Sequence, residues 1–232
     1  MSKIKIKRFD SRREPNTIDM EYPLFDGLTL LSLLHKLKNT LDPTLSFGGV
    51  CRSGVCGSCS VMVNGKATLA CSYKANNGDY IEPLAYHTVK RDLIVDKSKT
   101  KQTLVDSKAY LQSKLIPENA PKVEVQSSCI LCDSCYSACP VMAVNSDFLG
   151  PFALTRVYKY TLQSEQNNES IDAVQQNGVW DCTLCGECTA VCPQNIDPKM
   201  DIMNLRSKSV QNGYSDPNFA NMSFGLDFTQ GF

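Results

Sequence analysis

The chain has 232 residues, of which 42% are hydrophobic and 21% charged, a composition typical of a globular protein with one large or two ordinary domains. Lys plus Arg and Asp plus Glu both number 24, so the net charge is zero and nothing favours a nucleic-acid partner. The N-terminal stretch lacks the apolar core of a signal peptide. No run approaches the roughly 18 apolar residues of a spanning helix. We therefore expect any membrane association to come through partner subunits.

Strand and helix patterns alternate over the first hundred residues. Lys3–Arg8 alternates Ile with basic residues and predicts a strand, with Thr17–Tyr22 as its hairpin partner through a turn containing Pro15. Leucines at helical spacing follow Thr29, which is placed to cap a helix over Leu30–Leu41. A second hairpin is predicted for Ser60–Val63 and Ala67–Ala70, joined by Asn64 and Gly65. This order is typical of a small β-grasp sheet.

From about residue 106 the pattern becomes helical. We predict helices over Ser107–Leu115, Phe152–Thr161 and Pro198–Ser209. The tail after Asn212 has no periodicity, and we expect it to order only against a partner. The predicted fold class is α+β, with a β-grasp domain at 1–105 followed by a mainly α-helical domain at 106–232.

Cysteine is the anomaly of the composition, with twelve residues in tight groups. Six disulfides would require an exported protein, and cysteines spaced by only two residues strain the geometry of a bridge. A metal framework is the better interpretation. The first group, here called the N-terminal site, has the plant-type 2Fe–2S spacing and comprises Cys51, Cys56, Cys59 and Cys71.

The loop of the N-terminal site is rich in glycine. A loop that wraps a small anionic cluster must bring backbone N–H groups close to the sulfurs, which residues without a Cβ permit. We assign this role to Gly48, Gly49, Gly54 and Gly57. A zinc site is the alternative, although zinc more often uses two separated cysteine pairs.

The remaining eight cysteines form an internal repeat of the bacterial ferredoxin type. Each run has cysteines three, three and four residues apart, and Pro140 or Pro193 follows the last. Three cysteines can surround one corner of a cubane, whereas the fourth points away and ligates the other cluster. We therefore predict a 4Fe–4S middle site of Cys129, Cys132, Cys135 and Cys192, and a distal site of Cys182, Cys185, Cys188 and Cys139. Two zinc knuckles are the alternative.

The domain at 1–105 is therefore predicted to be a plant-type 2Fe–2S ferredoxin domain, and the one at 106–232 a two-cluster bacterial-ferredoxin-like domain. Three one-electron clusters in one chain predict an electron-transfer protein that connects a two-electron donor with a two-electron acceptor. We find no nucleotide-binding glycine motif and no nucleophilic triad, so no catalytic residue is assigned. His35 is predicted to lie on a solvated helix face, and His87 to be structural or solvent-facing. We therefore expect the substrate to react on a partner protein.

The segment CRSGVCGSC at 51–59, with Leu69–Cys71, resembles the iron–sulfur subunit of succinate dehydrogenase/fumarate reductase. Ile81–Leu84 and Val89–Asp96 are similar to the segment that joins the two domains in that family. The resemblance implies a partner flavoprotein with covalent FAD, where succinate and fumarate interconvert. It also implies a membrane-side partner that exchanges electrons with quinone. Electrons would pass through the N-terminal, middle and distal clusters in turn.

Two features, the third cluster and the quinone site, depart from most members of the family that the chain resembles. An aliphatic residue usually stands where this chain has Cys185, and the third cluster is then 3Fe–4S; we predict 4Fe–4S here, with 3Fe–4S as the alternative. The usual quinone-site Trp and His are replaced by the segment Val141–Val144 and by Thr183, and Trp180 is predicted to be a packing residue. The pattern is similar to a non-classical subgroup whose membrane-side partner is a Cys-rich, heterodisulfide-reductase-like subunit, and a membrane-anchor subunit is the alternative partner.

The leading hypothesis is an electron-transfer subunit of a succinate:quinone or quinol:fumarate oxidoreductase. The alternatives are a freestanding ferredoxin-type carrier, or a conduit in another complex that combines a flavoprotein with a Cys-rich subunit, such as one oxidising glycolate or glycerol-3-phosphate. We expect the chain at the cytoplasmic face of the inner membrane, peripheral through its partners. Periplasmic placement by co-export with the flavoprotein is the other arrangement.

Overall fold

A computed structural model describes residues 2–164 and 167–217. Its first part contains a five-stranded sheet. The strands are β1 (Lys3–Phe9), β2 (Thr17–Pro23), β3 (Ser60–Val63), β4 (Lys66–Leu69) and β5 (Tyr80–Glu82). Their order in the sheet is β2-β1-β5-β3-β4. β1 pairs antiparallel with β2 and parallel with β5, which is the central pairing of a β-grasp sheet.

The helix α1 (Leu30–Thr40) covers this sheet. Its N-terminus is capped by Thr29, whose hydroxyl accepts a hydrogen bond from the Ser32 amide at 3.3 Å. The leucines of α1 pack with Ile4, Ile6 and Ile81 in the core of this half. The predicted hairpins and the capped helix are confirmed, because alternation and leucine spacing match one buried face each. A small ribbon of β6 (Val89–Arg91) and β7 (Ile94–Val95) follows.

The second part is helical and surrounds the two cysteine runs. Its elements are α2 (Ser98–Asp106), a 3₁₀ helix (Pro117–Val123), α3 (Glu124–Ser127), α4 (Ser134–Ser137), α5 (Pro140–Val144), α6 (Pro151–Gln163), α7 (Asn168–Ala173), α8 (Glu187–Ala190) and α9 (Pro198–Gln211). Helix α6 packs against α9, and the core between them includes Leu154, Val157, Ile202 and Leu205. The helices predicted from Phe152 and from Pro198 are confirmed.

The helix predicted at Ser107–Leu115 is wrong. The Asp96 carboxylate accepts the Ser98 amide at 2.9 Å and starts α2 there instead. Lys108 takes a positive φ of 53°, while the Ala109 amide reaches back to the Leu104 carbonyl at 3.0 Å. This is a Schellman-type ending, which turns the chain away before the segment predicted to be helical.

The expectation for the tail after Asn212 falls largely on residues 218–232, which lie outside the described residues. Among the residues that the structure describes, no helix has the length and apolar character needed to cross a membrane.

Candidate iron–sulfur centres

The N-terminal site is built on the loop between α1 and β3, with Cys71 beyond the second hairpin. The Ser53 amide donates to Cys51 Sγ at 3.4 Å, and Cys56 Sγ lies 3.1 Å from the Ser58 hydroxyl. The N–H of Ser53 and the thiol of Cys56 lower the pKa of Cys51 to about 6, which favours its thiolate. The loop thus supplies the N–H donors that a sulfur-ligated anionic group requires.

The inner part of the N-terminal site is shielded from solvent. Cys59 is 3% exposed, and burial raises the pKa of its thiol to about 11, with the neighbouring thiol of Cys71 adding to the effect. A buried thiolate needs a positive partner to become favourable, and iron supplies such a charge. The arrangement of two outer sulfurs and one buried sulfur fits a cluster held at the rim of the domain.

Two glycines of this loop show how tightly the backbone is packed. A Cβ on Gly48 would lie 1.9 Å from the Ser58 carbonyl oxygen. Gly57 has a φ of 66°, and a Cβ there would lie 2.8 Å from the Cα of Cys132. The neighbours of these glycines are protein atoms, so they close the loop and bring it against the middle site. The sequence predicted only that these glycines let the backbone come close to a cluster.

The two cubane runs have the same backbone conformation, as their sequence repeat predicts. The residue before the second cysteine is left-handed in both, with φ 50° at Leu131 and 56° at Leu184. The residue after that cysteine is also left-handed, with φ 65° at Asp133 and 88° at Gly186. A short helix follows in each run, so the cysteines of each curl around one point.

The middle-site cysteines line a common cavity. Its walls include Cys129, Cys132, Cys135 and Cys192, together with Phe152 and Thr155 from α6. Cys192 belongs to the second run, so this cavity groups one cysteine of the second run with three of the first. Burial, and then the charges of Cys132 and Cys129, raise the pKa of Cys135 well above its usual value.

The distal-site cysteines are likewise grouped. Burial raises the pKa of Cys139, and the charges of Cys182 and Cys185 raise it further. Burial and then Cys182, with a smaller contribution from Cys139, raise the pKa of Cys188 to about 12. Cys185 is the one exposed cysteine of the twelve, so the distal site has an outward-facing corner.

The three sites adjoin in series. Gly57 of the first loop contacts Cys132 of the middle site, and Cys132 packs into the N-terminal core with Cys59. On the other side, Cys188 of the distal site lies near enough to raise the pKa of Cys135, after burial and the nearer thiols. The middle site therefore lies between the N-terminal site and the distal site.

The cysteines suit iron–sulfur clusters in their chemistry. All twelve are free, and backbone N–H groups reach sulfurs at both ends of the series, as with the Leu184 amide, 3.4 Å from Cys182 Sγ. Thiolate sulfur with N–H donors is the environment of such clusters. Among the described residues, no three His, Cys, Asp or Glu side chains are arranged to hold a single metal ion.

The histidines and the tryptophan have structural surroundings. His35 is half-buried with its ring 4.9 Å from that of Phe47, so the prediction of a solvated histidine is wrong; the loop after α1 folds over it. The His87 side chain is 2% exposed and therefore structural rather than solvent-facing. Trp180 is 9% exposed and donates to Gln175 Oε1 at 2.8 Å, which confirms a packing role.

Sequence reasoning missed several polar residues that brace the cysteine loops. Arg206 of α9 donates to the carbonyl oxygens of Cys182 at 2.6 Å and Val179 at 2.7 Å. Lys97 donates to the Cys132 carbonyl at 3.0 Å. Both lie far from the cysteines in sequence and in ordinary polar surroundings, so no pattern distinguished them from solvated charges.

Comparison with known proteins agrees with this geometry. Residues 3–102 match the family model described as "2Fe-2S iron-sulfur cluster binding domain", and residues 125–196 match "4Fe-4S dicluster domain". The fumarate reductase iron–sulfur subunit of Haemophilus influenzae is 34% identical over 228 residues, covering 86% of this chain and 88% of that protein. The 8-methylmenaquinol:fumarate reductase iron–sulfur subunit of Wolinella succinogenes is 33% identical over 237 residues, covering 91% and 73%.

A solved structure has the same fold. It is a chain of the "Mycobacterium smegmatis Sdh1 complex in the apo form", with a TM-score of 0.78 at 22% identity, covering 92% of this chain and 97% of that one. The predicted fold class is confirmed, a 2Fe–2S ferredoxin domain followed by a 4Fe–4S dicluster domain. The chain therefore belongs to the family of iron–sulfur subunits of fumarate reductase and succinate dehydrogenase.

Proposed function

We propose that this chain is the electron-transfer subunit of a succinate:quinone or quinol:fumarate oxidoreductase complex. Its relatives are fumarate reductase iron–sulfur subunits over most of their length. The observation that carries the proposal is the contact of three four-cysteine sites in series. Iron–sulfur clusters supply one-electron chemistry, and the chain's own residues hold them, exclude water from their inner faces and donate N–H groups to their sulfurs.

The proposed ligands follow the three sites. The N-terminal site holds 2Fe–2S, the middle site holds 4Fe–4S, and the distal site holds 4Fe–4S because a fourth cysteine, Cys185, is present. A 3Fe–4S cluster is the alternative at the distal site. The grouping of Cys139 with Cys182 and Cys188 supports this assignment. We also propose that the first domain ends at residue 105 and the second begins at residue 106.

The two ends of the series face outward, as a conduit requires. Val50 and Val55, on the loop of the N-terminal site, are 78% and 63% exposed. Val144, which follows the distal ligand Cys139 on α5, is 88% exposed. Exposed apolar residues at both ends are suited to contact with partner proteins. We assign the first end to an FAD-containing flavoprotein and the second to the membrane-side partner.

The membrane-side partner is proposed to be a Cys-rich, heterodisulfide-reductase-like subunit. The supporting observations are the fourth distal cysteine and the replacement of the usual quinone-site residues by Val141–Val144 and Thr183. Trp180 is packed inside the helical core. Quinone would then react on the partner. From the residue pattern alone, we propose placement at the cytoplasmic face of the inner membrane, or in the periplasm by co-export.

The test is electron paramagnetic resonance of the complex, purified anaerobically and measured as oxidised and after dithionite. The proposal expects copurification of a flavoprotein of about twice this size, a reduced 2Fe–2S signal and two interacting 4Fe–4S signals, with no 3Fe signal when oxidised. Isolation of the chain alone with all clusters would favour a freestanding carrier. A flavin site that oxidises a substrate other than succinate would place the chain in another complex.

A further inference from the structure

The middle-site loop contains a buried carboxylate that its repeat counterpart lacks. Asp133 lies between Cys132 and Cys135, and its side chain is 2% exposed. The equivalent residue of the distal run is Gly186, which shares the left-handed backbone but has no charge. A buried carboxylate is costly unless it is paired, so its presence requires a compensating partner.

Lys97 is that partner. Its Nζ lies 3.3 Å from Asp133 Oδ2 and donates to the carbonyl oxygen of Cys132 at 3.0 Å. The Thr100 hydroxyl, one helical turn further on, lies 3.4 Å from the same carboxylate oxygen. The ion pair is therefore built against the backbone of a middle-site cysteine, by residues that precede the cubane runs in sequence.

A third group, His87, completes the surroundings of Asp133 without adding a charge. Its Nε2 lies 3.8 Å from Asp133 Oδ2, and its ring lies 4.7 Å from that of Tyr136. Burial lowers the pKa of His87, so the imidazole is neutral near pH 7. Lys97 is then the positive charge that balances Asp133 in this group.

A fixed charge beside a cluster changes how readily the cluster accepts an electron. A negative charge disfavours reduction and a positive charge favours it, and both effects are larger where water is excluded. Asp133 lines the same cavity as the four middle-site cysteines. Its carboxylate therefore lies beside the position that the middle cluster would occupy.

We propose that Asp133 and Lys97 act on the reduction potential of the middle cluster in opposite directions, so that Lys97 offsets the effect of the buried Asp133 carboxylate. The pair distinguishes the middle site from the distal site, whose loop has the same backbone but a glycine at this position. This inference deepens the proposed function and rests on its assignment of a 4Fe–4S cluster to the middle site. Asp133 and Lys97 are tuning residues and not ligands.

The experiment is an EPR-monitored redox titration of the purified complex carrying Asp133→Asn, Lys97→Gln or both. Asparagine is tolerated at positive φ, so the first change removes the charge and keeps the loop conformation. We expect Asp133→Asn to favour reduction of the middle cluster about tenfold, and Lys97→Gln to disfavour it about tenfold, each equivalent to about 59 mV for one electron. The double variant should return to within about threefold of the wild type, since the lost charges cancel.

Two controls separate electrostatics from damage. Lys97→Arg keeps the charge and should keep the potential, whereas Lys114→Gln removes an exposed positive charge and should leave all three potentials unchanged. Shifts of the same sign in both single variants, equal shifts at all clusters, or loss of the middle cluster from both would overturn the inference. Absence of a middle-cluster signal from the wild-type complex would instead refute the proposed function.

Discussion

Gln194 donates a hydrogen bond from Nε2 to the carbonyl oxygen of Gly54 at 3.1 Å, across 140 residues of sequence. Gln194 follows Cys192, the middle-site cysteine contributed by the second run, and Gly54 lies inside the loop of the N-terminal site. The bond therefore joins two cysteine loops that belong to different halves of the chain. The spacing between the first two sites depends on this contact and on the approach of Gly57 to Cys132.

The approach of Gly57 to Cys132 leaves no room for a side chain. We predict that Gly57→Ala destabilises the protein, because the new Cβ would meet the Cα of Cys132 and the backbone has a positive φ. The left-handed backbone accounts for about 1–2 kcal/mol of this loss. The collision adds about 1–3 kcal/mol. Thermal unfolding under anaerobic conditions, with the rate of electron transfer from the 2Fe–2S to the middle cluster, checks the prediction.

Gly65→Ala is the matched control for that change. Gly65 has a similar φ of 78°, but a Cβ there meets nothing within 4 Å. This variant should lose only the backbone contribution and transfer electrons at the wild-type rate. Equal losses of stability in the two variants would show that the contact with Cys132 does not constrain the loops.

Cys185→Ser tests the fourth ligand of the distal site. Because Cys185 is the exposed corner of that site, its loss should release one iron and leave the other three cysteines in place. The oxidised complex should then show a 3Fe signal, while the signals of the 2Fe–2S and middle clusters stay unchanged. Loss of both cubane signals, or a 3Fe signal already present in fresh wild-type complex, would contradict the ligand assignment.

The proposed exchange of the fourth cysteines between runs predicts that two cysteines close in sequence, Cys188 and Cys192, serve different clusters. Cys192→Ser should abolish or alter the middle-cluster signal, because Cys192 lines the cavity of Cys129, Cys132 and Cys135. Cys188→Ser, four residues away, should affect the distal signal instead. EPR of the two reduced variants decides between this pattern and one in which each run holds its own cluster.

Asp201 of α9 predicts a pH dependence of stability. It is buried beside Gln126, whose Nε2 donates to Asp201 Oδ1 at 2.8 Å, and burial raises its pKa to about 6. A carboxyl whose pKa is higher in the folded state stabilises the fold most below the unfolded pKa of about 3.9. That contribution is lost as the pH rises through about 6. Asp201→Asn should therefore increase the free energy of unfolding at pH 8 by about 2–3 kcal/mol. The melting temperature should rise accordingly.

The advantage of Asp201→Asn should shrink as the pH falls towards 5, since the native carboxyl then takes up its proton. Asp147→Asn, a change at an exposed aspartate, should leave the melting temperature unchanged at both values. Melting curves of the anaerobic complex at pH 5 and pH 8 make the comparison. An equal gain at the two pH values would mean that the effect of the substitution is not electrostatic.

The sequence by itself predicted the features that depend on neighbouring residues. The strand alternation of β1, the leucine face of α1 with its Thr29 cap, and the spacing of the cysteine runs are all short-range patterns, and the structure has them. The extent of α2 could not be read in this way. Its start depends on the Asp96 carboxylate and its end on a left-handed Lys108, and neither residue belongs to the periodic segment.

What the tertiary structure alone decided is how the sites meet and which charges surround them. The Lys97–Asp133 pair joins residues 36 positions apart, and the Gln194–Gly54 bond joins residues 140 positions apart. His87 is buried beside Asp133, which lies in the other half of the chain. Such contacts form only when the sheet and the helices pack, because water otherwise solvates each group separately. The kind of cofactor was therefore predictable from local spacing, whereas the electrostatic setting of the middle site required the folded chain.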